Sequence, residues 1–454
     1  MAIWGACSSS SETPYPSGPT DEPVQSVTFT VRMPHASPQV YALDDDAEND
    51  IQTIDVLAFR IDNYTSAEYY DYRATGYNIT STSSVIPYEK QFKVTLQKND
   101  TAHYRLVFLA NVKDELDALS LASGAQKESL LARILSHNPA VWNVTSAYKP
   151  LPMWGQSAAV MVNDALATLS EITLLRSVVS IEVYADNAAV TPDFHLEDVY
   201  LYNRKVYGRV APYENYYNAT EKKVTAPTMP TVNMMLPLTV WTGQHYTVPS
   251  GQYKLTRTIY TYEAAAAANG DDFVATCLVV KGTYIPLGTP QYYRLDFEQR
   301  DNLGVFQEYR PLLRNHRYQF IIKRVTGDGH NTQDSAFFSK KGNLGVEILD
   351  WNLADMGNMV VKEMNWLNVN RTSITTYSGG EFYVGVETSH TGGWTAELEN
   401  PADVSWIRAI DCRNDYMQVT LYGYGIPVGG REGNIVVRAG NMTKKINVKQ
   451  IPTS

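Results

Sequence analysis

Hydrophobic and polar residues alternate over most of the chain from Val24 onward. In the first such run, Val27, Phe29 and Val31 would project to one face of an extended strand, and Thr28 and Thr30 to the other. Turn-forming residues cluster between the runs. Comparable runs predict strands at 54–59, 91–97, 104–110, 174–184, 195–203, 274–281, 292–297 and 318–325. The pattern therefore predicts a mainly β protein.

One stretch, Lys113 to His137, has a helical periodicity instead. Its leucines and Ile134 recur at spacings near three and four among Ala, Lys, Glu and Gln, which is typical of an amphipathic helix. Because Gly124 interrupts the pattern, we expect two short helices. The longest apolar runs, such as Leu106 to Ala110, are far shorter than the roughly 20 residues that a membrane-spanning helix needs.

Three β-rich blocks follow a short polar start. Residues 1–23 combine Pro, Ser and Gly without an apolar period, which predicts a flexible tether. The strands that follow divide into residues 24–165, residues 166–360 and residues 361–454. The last block has the strand spacing of a small β-sandwich, whose core Trp394 and Trp406 would fill.

Composition and charge exclude several classes of function. The chain has 454 residues and a net charge of -10, the wrong sign for a protein that binds nucleic acid by neutralising phosphates. Its three cysteines lie too far apart for a zinc knuckle or a disulfide framework. The sequence contains no phosphate-binding loop, no nucleophile elbow and no histidines at metal-ligand spacing. We therefore expect no catalytic residue, no metal site and no cofactor.

Cys7 follows two small residues, Gly5 and Ala6, and precedes the polar tether. This arrangement resembles the cleavage site of bacterial lipoproteins, in which the thiol is acylated and the linker holds the folded part off the outer membrane. Cys7 is therefore a candidate lipid anchor, and an incidental free thiol is the alternative.

Other polar and aromatic clusters have a structural and a functional interpretation. Residues 44–50 are acidic but lack the spacing of a calcium loop, which predicts a solvated loop. Arg314 to Arg317 precedes a predicted strand, so we expect it to close a turn. Cys277 lies in an apolar run and is expected to be buried and inert. The tyrosine-rich stretches could contact a glycan or a partner protein, or could be ordinary strand-edge residues; they contain Tyr69, Tyr70, Tyr72, Tyr216 and Tyr217.

Three stretches in order resemble the Bacteroidota fimbrillin family, secreted lipoprotein pilins of the strand-exchange type. They are residues 26–31 with 54–59 and 104–111, residues 172–183 with 194–203 and 208–212, and residues 292–297 with 313–318 and Trp351-Asn352. The tail, residues 429–437 with 443–450, looks like a BACON domain, an immunoglobulin-like module. The resemblance implies two tandem fimbrillin-type β-sandwich-like domains with a short helical insertion, plus the C-terminal sandwich.

In such pilins a protease cuts after an Arg or Lys beyond the first strand, which then leaves and is replaced by a strand from a neighbouring subunit. Here the exchanged segment would be Val27, Phe29 and Val31, and the candidate protease site is Arg32. Residues 33–59 contain neither Lys nor Arg, and Arg32 stands at the end of the strand itself. This departure favours a tip, anchor or other accessory subunit that keeps its first strand.

The sequence thus predicts a non-catalytic cell-surface fimbrial subunit that acts in adhesion and in pilus assembly by β-strand complementation. Its expected partners are other pilin subunits, a host or bacterial surface protein or glycan, and the outer membrane through the lipid anchor. The alternative is a carbohydrate-binding surface lipoprotein that uses the fimbrillin-like domains as a stalk. An enzyme such as a glycosidase with paired carboxylates is a third hypothesis.

Overall fold

A computed structural model of the chain describes residues 23–33, 48–82, 89–138, 142, 149–185, 194–230, 239–240, 242–255, 258–267, 273–300, 306–339, 343–353, 358–362 and 365–452. Cys7 and the acidic residues 44–46 lie outside these ranges. The mainly β prediction is confirmed, because strands dominate and the helices are short. Within the described ranges, no helix is long and apolar enough to cross a membrane.

The first domain is a two-sheet sandwich. Its elements, in chain order, are β1 (Val24–Arg32), β2 (Ile54–Ile61), β3 (Glu68–Thr75), β4 (Tyr77–Ser81), β5 (Glu89–Gln97), β6 (Asn99–Ala110), α1 (Lys113–Asp117), α2 (Lys127–Leu131), β7 (Leu135–His137), β8 (Met153–Val162), β9 (Thr168–Thr173) and β10 (Leu175–Arg176). One sheet has the order β4-β5-β1-β9 and the other β10-β8-β6-β2-β3. Val27, Phe29 and Val31 of the first sheet meet Ile54 and Val56 of the second in a fully buried core.

A second apolar cluster covers the outer face of the β10-β8-β6-β2-β3 sheet. Leu57, Leu109 and Trp154 of the sheet pack against Leu116 of α1 and Leu130 of α2. The prediction of two short helices is confirmed, although the stretch ends as strand β7 rather than as helix. A loop of the second domain completes this cover.

The second domain contains a second sandwich. Its elements are β11 (Val178–Ala185), β12 (Phe194–Tyr202), β13 (Arg204–Lys205), β14 (Tyr207–Arg209), a 3-10 turn (Glu214–Tyr216), β15 (Tyr217–Asn218), β16 (Lys223–Val224), β17 (Thr239–Val240), β18 (Gln244–Thr247), β19 (Ile259–Tyr262), β20 (Cys277–Tyr284), β21 (Pro290–Asp296), β22 (Glu298–Arg300), β23 (Phe306–Tyr309), β24 (His316–Val325), α3 (Gln333–Phe337) and β25 (Leu344–Asn352). The sheets β19-β11-β24-β25 and β18-β12-β20-β21 enclose its core. Strand β14 pairs with β7, and Val210, Ala211 and Val224 pack on the outer cluster of the first domain.

The C-terminal module is a third sandwich. Its elements are β26 (Met359–Lys362), β27 (Asn365–Val369), β28 (Ser373–Thr376), β29 (Gly380–Thr388), β30 (Thr395–Leu398), a 3-10 turn (Pro401–Ser405), β31 (Ile407–Cys412), β32 (Tyr416–Leu421), β33 (Arg431–Ala439) and β34 (Met442–Gln450). The sheets β26-β27-β29-β32-β31 and β28-β34-β33-β30 face each other across an apolar core. Trp406 lies in that core and Trp394 packs against it, as expected.

The strand pairing places the first domain boundary later than the sequence pattern does. Strands β9 and β10 complete the sheets of the first domain, so the first boundary lies at Ser177 and not at residue 165. The sequence shows one apolar run there, but Leu174 packs into the first core and Val179 into the second. The second sandwich ends with β25 at Asn352, where the sequence placed the cut, but β26 and β27 form strands where the composition had indicated a linker.

Candidate functional site

The first strand, β1, is paired on both sides within its own domain. It runs antiparallel to β5 from the pair Val24–Gln97 to the pair Arg32–Glu89. On its other side it runs parallel to β9, where Phe29 pairs with Leu169 and Arg32 with Thr173. The strand is therefore an interior member of its sheet, and its departure would leave β5 and β9 with unpaired edges.

The inward side chains of β1 fill buried sites between the two sheets of the first domain. Val27, Phe29 and Val31 have no exposed surface. The ring of Phe29 stacks on Phe92 at 5.5 Å and meets Phe108 edge-on at 5.1 Å. A strand that replaced β1 would have to bring apolar side chains at the same alternate positions to fill these sites.

Arg32 shows how the end of β1 is held. Its guanidinium is half exposed and binds the carboxylate of Glu89 at 2.7 Å. Its carbonyl oxygen accepts a hydrogen bond from Leu174 N at 2.8 Å, and the next residue, Met33, is fully buried. The bond that a trypsin-like protease would cut thus lies in paired, buried backbone, although the side chain it would recognise faces solvent.

The tyrosine stretches contribute more to the core than to the surface. Tyr70 is only 6% exposed and belongs to the outer cluster of the first domain, which corrects its assignment as a contact residue. Tyr72 packs against the first core, and Tyr216 and Tyr217 pack against the outer cluster. Tyr69 is half-buried. Residues two apart in a regular strand share a face, but the pairing of β3 with β2 shifts register between Tyr70 and Tyr72. The two tyrosines therefore pack on opposite sides of the sheet, and both sides are covered.

Arg314 to Arg317 joins the three domains and is structural, as expected. All four residues are buried. Arg314 binds Glu263 at 2.6 Å and donates to the carbonyl oxygen of Val210 at 2.6 Å, on the loop that covers the first domain. Asn315 adopts a left-handed backbone, φ 58°, and its side-chain oxygen accepts a hydrogen bond from Arg176 N at 3.2 Å.

Arg317 connects the same turn to the C-terminal module. Its guanidinium binds Glu387 at 2.6 Å, with both side chains at most 3% exposed, and lies 4.7 Å from the ring of Trp351. Burial by itself lowers the pKa of Arg317, but the neighbouring Glu387 and Glu182 carboxylates raise it above its ordinary value. Arg317 is therefore charged, and its contact with Glu387 links the module to β24.

Two predictions about buried chemistry have different outcomes. Cys277 is fully buried, and burial raises the pKa of its thiol, as expected of an inert residue. Glu48 is not part of a solvated loop, because it is 5% exposed and its carboxylate accepts a hydrogen bond from the Tyr260 hydroxyl. The backbone carbonyl of Glu48 also accepts a bond from Arg176 at 3.2 Å. The acidic stretch thus ends in a contact between the first two domains.

A cleft between the second domain and the C-terminal module was not predicted from the sequence. Its volume is ≈ 180 Å³, and its lining comes from four separate parts of the chain: Tyr184, Tyr253, Gln319 and Ile321, and residues 412–416. No local motif marks such a site, because the lining meets only when the module docks. Among the described residues, no group of three or more His, Cys, Asp and Glu could hold a metal ion there or elsewhere.

The end of the module that points away from this cleft exposes large apolar side chains, which were also missed. Tyr377, Val404, Tyr424 and Val428 are all more than half exposed. Gln450 fastens two of these loops, because its amide donates to the carbonyl oxygens of Ser378 and Tyr422, each at 2.8 Å. The loops thus present an ordered apolar surface.

Comparisons with known proteins identify a family and several similar solved structures. The model of the family described as fimbrillin-A associated anchor proteins Mfa1 and Mfa2 matches residues 19–356. Among solved structures, the chain is similar to the tip fimbrial protein Mfa3 from Porphyromonas gingivalis with a C-terminal truncation, with 14% identity, 72% of this chain and 100% of that chain covered, and a TM-score of 0.45. A fimbrial assembly protein from Parabacteroides distasonis has 13% identity, with 74% and 98% covered and a TM-score of 0.39. No curated protein matches the chain. The family match ends before β26, so the BACON-like assignment stays a prediction.

Proposed function

Because the chain belongs to the family of fimbrillin-A associated anchor proteins, we propose that it is an accessory fimbrial subunit that retains its own first strand. The family places the chain among fimbrial subunits that act in adhesion and assembly at the cell surface. The more specific part of the proposal is that the subunit keeps β1 instead of exchanging it. The observation that carries it is the two-sided pairing of β1, together with the burial of Met33.

A subunit that keeps β1 does not need a neighbour's strand to complete its first domain. It would end a chain of strand-exchanging subunits, because it leaves no empty groove for the next one. Tip and anchor positions both satisfy this condition, and other pilin subunits are the proposed partners. The family match and the absence of Lys and Arg from residues 33–59 support the same role.

Limited proteolysis tests whether β1 is retained. No Lys or Arg precedes Arg32, so trypsin cleavage after Arg32 would release residues 1–32 as a diagnostic fragment. We expect brief treatment of the folded protein to leave this fragment attached, because the Arg32 carbonyl is hydrogen-bonded and Met33 is buried. Denaturing mass spectrometry measures the result.

A matched variant shows that the protease is able to act. Gln39→Arg adds a site to the stretch between β1 and β2, and we expect trypsin to cut there and separate β1 from the rest of the chain under denaturing conditions. If the wild-type protein is instead cut cleanly after Arg32 and then assembles into oligomers, it is a polymerising stalk subunit and the proposal is wrong.

Attachment to the outer membrane through Cys7 is a second part of the proposal. Its support is the pair of small residues before Cys7 and the polar tether after it. In the full gene with its native signal, Cys7→Ser should move the protein from the membrane fraction to the soluble fraction. Cys412→Ser, in the last domain, is the matched control and should leave fractionation unchanged. Membrane retention of the Cys7→Ser variant would contradict lipid anchoring.

A further inference from the structure

We propose that the cleft between the second domain and the C-terminal module binds one sugar ring of a neutral glycan. Such a site goes beyond a role in assembly, because none of its lining residues belongs to β1. The site would allow the subunit itself to bind a glycan receptor.

The size of the cleft limits the ligand. Its volume is ≈ 180 Å³. An engineered protein cavity of about 150 Å³ accommodates benzene, so this cleft holds one six-membered ring and excludes a dinucleotide or a haem. A glycan would therefore insert a single sugar unit into the cleft, and its other sugar units would remain outside.

The inner wall provides apolar contact. Tyr184, Ile321 and Tyr416 are each less than 9% exposed, and Tyr253 beside them is half-buried. These side chains come from both domains, so the wall forms only in the docked arrangement. Aromatic rings bury a large flat area at a small cost in conformational entropy, which suits the C–H face of a pyranose ring.

The outer wall provides hydrogen bonds. Arg413, Asn414 and Asp415 lie in the tight turn between β31 and β32. Arginine and the asparagine amide donate, and carboxylates accept, whereas a sugar hydroxyl does both. Arg413 binds Asp411 at 2.5 Å, yet its buried Nε has no hydrogen-bond partner among the residues that the structure describes. A buried donor without an acceptor costs free energy, and a ligand hydroxyl could accept its hydrogen bond.

The charges around the cleft favour a neutral ligand. The cations near the cleft are Arg413, Arg317, which lies 3.9 Å from Glu182, and Lys254, whose ammonium lies 5.1 Å from the centre of the Tyr184 ring. The nearby anions are Asp415, Asp411 and Glu182, the last of which accepts a hydrogen bond from the Tyr184 hydroxyl. Because these three cations are matched by three carboxylates, the cleft has no surplus of positive charge to select phosphate or a sialic acid.

Binding can be measured with simple probes on the full-length protein. The probes are the methyl glycosides of glucose, galactose, mannose and N-acetylglucosamine, with inorganic phosphate and N-acetylneuraminic acid as anionic comparisons. We expect at least one neutral glycoside to give a saturation-transfer NMR signal with a Kd on the order of 1 mM, the affinity expected for so few contacting atoms.

Two variants locate the site. Tyr253→Ala and Asn414→Ala should each weaken binding by about tenfold or more. The first removes an aromatic contact of the inner wall, and the second removes a hydrogen-bonding group of the outer wall. The Tyr253 carbonyl accepts its hydrogen bond from Ala185 N, a backbone contact that the alanine keeps. Tyr377→Ala removes an exposed tyrosine from the far end of the same module and should leave the affinity unchanged.

Three results would overturn the proposal. They are no signal from any neutral glycoside at about ten times the expected Kd, equal affinity in wild type and both cleft variants, or binding of the anionic probes alone. Circular dichroism and the trypsin fragment pattern check that each variant is folded. The trypsin fragment pattern tests strand retention without any glycan, so a failure of glycan binding would not contradict the strand-retention proposal.

Discussion

Replacing Phe29 by alanine should destabilise the first domain by about 3–5 kcal/mol. Phe29 is fully buried at the centre of β1, where it contacts Phe92 and Phe108. The substitution would leave a cavity among rings that belong to both sheets, so neighbouring side chains can fill it only in part. Hydrogen exchange of β1 and β5 peptides, followed by mass spectrometry, measures the loss for this domain alone.

Thr30→Ala is the matched control for this prediction. Thr30 lies next to Phe29 on the opposite face of β1 and is partly exposed, so we expect a change within about 0.5 kcal/mol. Similar protection of the β1 peptide in Phe29→Ala and Thr30→Ala would show that β1 contributes little to the core.

Glu387→Ala is expected to weaken the attachment of the C-terminal module by about 3–5 kcal/mol. The loss is large because Arg317, 3% exposed, would keep a buried charge without its closest carboxylate. Replacing both partners, as in Arg317→Met with Glu387→Met, removes the charge as well, and we expect it to recover most of the stability. Urea unfolding followed by tryptophan fluorescence reports the change, because Trp351 lies in this contact.

An exposed pair in the same module provides the comparison. Arg438 and Glu397 lie 3.0 Å apart with about half or more of each side chain exposed, so Glu397→Ala should cost at most about 1 kcal/mol. If Glu387→Ala has no larger effect than Glu397→Ala, the module does not depend on its buried ion pair for attachment.

Local pattern predicted the strands well, because alternation reflects burial on one face and needs no knowledge of the partner strand. It failed at Leu174, where one apolar run serves two cores and the chain changes domain without a polar linker. It also failed at Tyr70, since a tyrosine next to an aspartate has the same local signature on a covered face as on an open one.

The junction and the cleft show a different limit. The sequence indicated that Arg314 to Arg317 is structural, but not that Glu263, Arg176 and Glu387 are its partners. These residues are distant in the chain and have no local pattern that couples them to the turn. The cleft depends on the docking of two domains, so it can be recognised only after the fold is known.

The turn at Arg314 to Arg317 also has a mechanical consequence. A cell held by a fimbria in flowing liquid pulls on the two ends of each subunit. In a chain of independently hinged domains, that tension would pass through the connecting peptides alone. Here it would also pass through the contact of Asn315 with Arg176 and that of Arg317 with Glu387. The three domains would therefore stretch as one body, and the docked module would detach only when its buried ion pair ruptures.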